Sequence, residues 1–168
     1  MKLWKKAVSL AIVSVLALSM SACGGSENKS TGSTDTFKIG GIGPTTGDAA
    51  IYGKAVKNGA QLAVDEINKN GGINGKKIEY KFEDDQNDAE KSVNAYNSLK
   101  DWGMQMLMGT TTSTPCVAVT AESNADHIFT ITPSGSSTDC IGGQPDADGN
   151  VATPRKDNVF QMCFTDPN

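Results

Sequence analysis

Between Phe37 and Phe164 the chain alternates short strand-like runs with helix-length amphipathic stretches, and this restricts the fold more than any other feature. Phe37-Lys38-Ile39-Gly40-Gly41-Ile42-Gly43 alternates and stops at Pro44. Val56, Ala60, Ala63 and Ile67 then recur on one helical face, with Gly59 and Leu62 beside it, and Asn70-Gly71-Gly72 ends the helix. Asn74-Gly75 signals a tight turn into a second alternating strand, Lys77 to Glu83. Asp88 is placed to cap a second helix with Ala89, Val93, Tyr96 and Leu99 on its apolar face. Met104 to Gly109 is a third strand, and a third helix begins near Pro115 and runs to about Ala125. A fourth strand follows at His127 to Thr132, then a long Gly/Asp/Ser/Pro loop from Ser134 to Asp157, and a last strand at Val159 to Phe164. The order β-α-β-α-β-α-β with helix-length crossovers implies an α/β fold, a doubly wound parallel sheet.

In such sheets ligands bind beyond the carboxyl ends of the strands. Three loops occupy those ends: Gly43 to Ile51, Gly109 to Pro115, and Thr132 to Asp139. All are rich in glycine and hydroxyls. Ser113 and Thr114 stand at a helix start, where free N–H groups and a partial positive charge hold a carboxylate or phosphate. The same residues would also serve simply as N-caps, and one hydroxyl can do both. Ser134-Gly135-Ser136-Ser137 is a second polar turn, whose hydroxyls and carbonyls suit an ammonium or merely the turn. Tyr52 would lay its ring over an apolar side chain or sit half-exposed at a helix start. Gly41-Ile42-Gly43-Pro44-Thr45-Thr46-Gly47 misses the dinucleotide fingerprint: its third glycine is one residue late, and Pro44 removes an N–H. Asp84-Asp85 offers two carboxylates, but neighbours in a strand point to opposite faces.

Ahead of this domain, Lys2, Lys5 and Lys6 precede an apolar run from Ala7 to Leu18, and Met20-Ser21-Ala22-Cys23 supplies small residues before a cysteine. The run is short for a bilayer span and reads as a cleaved export signal over residues 1–22. Cys23 is then the new N-terminus and the lipid-bearing residue, which places the protein outside the cytoplasm, lipid-anchored to the cell membrane. Residues 23–36 contain almost nothing apolar and are expected to tether the domain of residues 37–168.

The whole sequence has 15 Lys+Arg against 19 Asp+Glu. The signal holds three of the bases and no acid, so the mature chain has 12 against 19, a net charge of −7. That balance argues against nucleic acid as a partner. Cys116, Cys140 and Cys163 form no C-x-x-C pair, and His127 is the single histidine, so neither a metal site nor a Cys/His nucleophile is expected. No cofactor is implied. Either one disulfide, with Cys140–Cys163 the favoured pairing, or buried free thiols would fit an exported protein.

Together these motifs resemble a known family. Ile39-Gly40-Gly41-Ile42-Gly43-Pro44-Thr45-Thr46-Gly47, Tyr52-Gly53, Gly59 to Asn68 and Gly71-Gly72-Ile73-Asn74-Gly75 are similar to the branched-chain (leucine/isoleucine/valine) amino-acid binding proteins of ABC transporters. Asp84-Asp85-Gln86, Gly109 to Thr114, Ile131-Thr132-Pro133-Ser134 and Val159 to Asp166 continue the likeness. It implies the N-terminal lobe of a type I periplasmic-binding fold, and a solute-binding role that hands an L-amino acid to ABC permease subunits, with no enzymatic activity. It implies carboxylate contacts at Ser113 and Thr114. A backbone carbonyl at Ser134 and the Ser136 hydroxyl would meet the ammonium, and Tyr52 would border the pocket. The family's second lobe is missing here, so the chain is expected to be an N-terminal fragment that binds weakly by itself. A ligand-sensing receptor domain of the same fold is the alternative reading.

Overall fold

The computed structural model of the protein describes residues 36–145 and 148–166; the signal, Cys23 and all but the last residue of the tether lie outside the described residues. The elements follow in the order β1 (Phe37–Gly43), α1 (Ala50–Lys69), β2 (Ile78–Asp84), α2 (Ala89–Asp101), β3 (Met106–Gly109), α3 (Ser113–Ala125), β4 (Phe129–Thr132), a 3-10 turn (Thr138–Cys140) and β5 (Val159–Gln161). The five strands form one parallel sheet ordered β2-β1-β3-β4-β5. The order reverses at β1, so the loops after β1 and β3 diverge there and leave a crevice. None of the described helices is long and apolar enough to cross a membrane.

Right-handed crossovers send α1 to one face of the sheet and α2 and α3 to the other. Adjacent glycines in β1 mark the two faces. A Cβ on Gly40 would meet Leu99 and Met104 beneath α2, whereas one on Gly41 would meet Tyr80 and Phe82 on the α1 side. The α2–α3 face carries the core: Ile42, Tyr96, Leu99, Leu107 and Val119 are fully buried, with Ala95 and Met104 completing the cluster. Tyr96 and Leu99 fall on the expected face of α2, while Ser92 and Ala95 are buried beside them. Asp88 caps this helix as expected, accepting from the Lys91 N–H at 2.9 Å.

The apolar face of α1 differs from expectation. Gly53 and Val64 are buried and the expected Val56 and Ala60 half-buried, whereas Leu62 is 69% exposed, Ala63 faces solvent and Ile67 is 37% exposed. The close approach of α1 comes at Gly53: a Cβ there would lie 1.9 Å from the Pro44 carbonyl oxygen. That contact rotates the helix about its axis relative to the simple apolar count. The expected tight turn forms with Asn74 and Gly75 both at positive φ (51° and 80°), bracketed by reciprocal Ile73–Lys76 hydrogen bonds. Asn68 then clamps the start of β2, its side chain bonding both the N–H and the carbonyl of Ile78.

The long loop after β4 is folded back against α3. Lys156 is almost fully buried, and its Nζ donates to Thr120 Oγ1 (2.9 Å), the Asp139 carbonyl (2.8 Å) and the Cys140 carbonyl (3.3 Å). Desolvation lowers the pKa of this amine. Three acceptors make its burial tolerable. β5 is shorter than expected, three residues at the sheet edge.

Candidate functional site

Three buried threonines and a serine tie the carboxyl ends of the strands together. Thr111 Oγ1 donates to the Ile42 carbonyl, and Thr132 Oγ1 to the Thr110 carbonyl at 2.8 Å while accepting from the Gly135 N–H. Thr110 Oγ1 turns back to the Thr112 carbonyl, and Ser134 Oγ donates to the Thr111 carbonyl at 2.5 Å. Carbonyls freed where the parallel ladder ends thereby find local donors.

Helix α3 begins two residues earlier than its proline suggested. Thr112 is the N-cap and Ser113 the first helical residue, so neither Ser113 nor Thr114 is the cap. The Thr112 side chain makes no capping bond, and its Oγ1 is buried without a partner among the described residues. The first regular helical N–H, that of Cys116, bonds the Thr112 carbonyl. No acceptor among the described residues meets the N–H groups of Ser113 and Thr114.

Ser113 has a defined polarity. Its Oγ accepts from the N–H groups of Ser136 (3.1 Å) and Ser137 (3.2 Å), which occupies both lone pairs and leaves the O–H to donate. Ser136 is set the other way. Its Oγ donates to Asp166 Oδ2 at 2.7 Å and is left as an acceptor, which takes a long 3.5 Å hydrogen bond from the Ser113 hydroxyl. The Asp166 N–H donates in turn to the Ser136 carbonyl.

A cleft of about 370 Å³ opens here, lined by Tyr52, Thr111, Thr112, Ser113, Ser134, Ser136, Cys163 and Phe164. Tyr52 and Phe164 form an exposed rim, at 62% and 79%. Four of the five residues singled out from the sequence therefore meet at one place. The Thr114 side chain does not: it lines a neighbouring hollow with Ala89, Val117, Ser137 and Asp139, although its N–H belongs to the same helix start. Asp166 escaped the sequence reading because only three strand-end loops were considered. The segment after β5 is a fourth, and the same strand-end rule points to it.

The loop that leads from β1 into α1, whose first turn carries Tyr52, is anchored by Asp84, which accepts from the Thr45 N–H (2.8 Å) and the Thr46 hydroxyl (2.6 Å). Desolvation works against its charge, but these bonds and one from the Gln86 N–H hold its pKa at about 2. Asp85 is fully buried, accepts from the Asn87 N–H and Ser92 Oγ, and is pushed up by burial. The two carboxylates have separate partners. His127, exposed in the turn before β4, lies at the opposite end of the sheet from Ser113. Among the described residues no three metal-ligating side chains converge.

The favoured Cys140–Cys163 pairing is absent. All three cysteines of the domain are free thiols: Cys163 is half-buried on the cleft wall, and Cys140 is buried with its thiol donating to the Ser113 carbonyl oxygen. The 3-10 turn lays Cys140 over the first turn of α3 instead of toward β5.

A doubly wound parallel sheet, with donors and acceptors gathered at its switch-point crevice, defines a class of non-covalent ligand-binding α/β lobes. The family model for periplasmic binding proteins matches residues 36–166, and the chain belongs to that family. Among relatives, it is 40% identical over 101 residues to the Leu/Ile/Val-binding protein BraC3 of Rhizobium johnstonii, covering 60% of this chain and 28% of that protein. It is 33% identical over 128 residues to the Leu/Ile/Val-binding protein homolog 3 of Brucella melitensis, covering 76% and 32%. Among solved structures, the substrate-binding protein LivJ of the branched-chain amino acid transporter of Streptococcus pneumoniae, in complex with isoleucine, aligns with a TM-score of 0.67 at 30% identity. That match covers 77% of this chain and 34% of LivJ. The chain thus spans about a third of the length of the proteins it matches.

Proposed function

We propose that this chain carries the part of an amino-acid binding site that grips the α-carboxylate and α-ammonium groups, within the solute-binding component of an ABC importer. The observation behind this reading is the opposed polarity of two neighbouring hydroxyls. Ser113 has only a proton to offer, beside two unpaired N–H groups at a helix start, and so suits a carboxylate. Ser136 offers only lone pairs, with the Asp166 carboxylate behind it, and so suits an ammonium. A zwitterion whose two charges sit on one carbon matches that spacing. Ser134 contributes its carbonyl, Thr114 its N–H, and Tyr52 with Phe164 an apolar wall for the side chain. The Leu/Ile/Val-binding relatives support a branched-chain ligand. The reaction class is reversible capture, as in the solute-binding family to which the chain belongs, with delivery to permease subunits. Cys23 would hold the domain at the membrane through a lipid; incorporation of labelled fatty acid, lost in Cys23→Ser, checks this.

Because binding by this chain is expected to be weak, the test is a titration with L-leucine, L-isoleucine and L-valine followed by amide NMR shifts. The amides of Ser113, Thr114 and Ser136 should move, and the des-amino acid should move Ser113 and Thr114 alone. Shifts confined to another surface, or none at millimolar ligand, would sink the reading.

A further inference from the structure

Two buried thiols meet beside the cleft, and the ligand reading uses neither. Cys116 lies in the first turn of α3 and Cys140 ends the 3-10 turn; both have no exposed surface. The Cys140 thiol donates to the Ser113 carbonyl oxygen at 3.9 Å, over the start of the helix whose first turn carries Cys116. The two thiols interact electrostatically. Lys156 Nζ, donating to the carbonyls of Asp139 and Cys140, fixes the 3-10 turn in this position. Cys116 is suited to react first: its neighbour Cys140, with Thr132 and Thr110, lowers its pKa against desolvation. Cys140, desolvated beside Cys116, is pushed up. The third thiol, Cys163, lines the cleft and is the accessible one.

We propose that Cys116 and Cys140 form a disulfide outside the cytoplasm, a strut that joins the helix start bearing Ser113 to the turn bearing Ser136. The oxidant is a disulfide of the compartment, either a small one such as oxidised glutathione or that of a thiol oxidase. The Cys116 thiolate attacks one donor sulfur, the donor S–S bond breaks, and the first donor thiolate leaves. The Cys140 thiolate then attacks the Cys116 sulfur of the mixed disulfide and expels the second. Two protein thiols are oxidised, one donor disulfide is reduced to two thiols, and both protein protons end on the released thiols. The strut would hold the donor hydroxyl of Ser113 against its two N–H partners whether or not a ligand is present. It is independent of which ligand the cleft takes.

To test it, the purified chain is equilibrated with reduced and oxidised glutathione in enough urea to open the buried thiols transiently. It is then acid-quenched, alkylated with N-ethylmaleimide under denaturing conditions and peptide-mapped by mass spectrometry. The expected result is a Cys116–Cys140 linked peptide with Cys163 alkylated, and a urea unfolding midpoint that is higher for the oxidised than for the reduced chain. The Cys163→Ser variant should retain both the link and the midpoint difference. A Cys140–Cys163 link, scrambled pairing, or alkylation of Cys116 and Cys140 throughout overturns the proposal.

Discussion

The sheet face beneath α2 and α3 and the strand ends at the cleft are equally buried but built from opposite chemistry. Under the helices, Ile42, Leu99, Leu107 and Val119 present only carbon to one another. At the strand ends Thr110, Thr111 and Thr132 are just as inaccessible, yet each hydroxyl has a backbone carbonyl as its acceptor. The first region holds the lobe together by removing apolar surface from water. The second contributes little net stability per bond and instead determines which way each ligand-facing hydroxyl can point. Stability and recognition are therefore separable in this molecule.

The largest separation is expected from Leu107→Ala. Emptying a fully buried side chain costs about 2–5 kcal/mol, read as a fall in the urea midpoint, while the surviving folded molecules keep their ligand response. Lys156→Met should cost less, about 1–3 kcal/mol, because it leaves the Thr120 hydroxyl and two carbonyls without their donor. Thermal unfolding measures that loss, and an unchanged midpoint would mean that the loop packs without its buried amine.

Asp84→Asn should cost about 1 kcal/mol at neutral pH, the bonds to a partly exposed carboxylate being partly screened. Its pH dependence has a definite sign. Asp84 titrates at about 2 when folded against 3.8 for an unperturbed carboxyl. The stabilisation is present above the unfolded pKa and is lost as pH falls through the folded one. Wild type and variant should therefore converge in stability between about pH 4 and pH 2; parallel curves across that window would contradict the anchoring role of Asp84.

Most of the fold was legible in the sequence because its signals are local. Alternation marked β1, Asp88 marked the α2 start, and Asn74-Gly75 marked its turn. Failures occurred where distant contacts decide. The rotation of α1 depends on the approach of Gly53 to Pro44, which no count of apolar residues on α1 contains. The start of α3 at Ser113 depends on how β3 delivers the chain, so Pro115 marked only the first turn. Cys140 meets Cys116 because the long loop folds back on Lys156, a lysine that reads as a surface residue until its three acceptors are seen. In the cleft, the serines were found by residue type and position, but Asp166 was not, since its role rests on β5 lying beside β4.

The most direct test of the central claim measures stability and affinity in one variant, Ser113→Ala. Its hydroxyl accepts two N–H bonds but supports no core packing, so the unfolding free energy should fall by only about 1–2 kcal/mol. Affinity for the L-amino acid should fall about tenfold or more, as expected when a hydrogen bond to a charged group is lost. Unchanged affinity, or an affinity loss explained entirely by unfolding, would contradict the account.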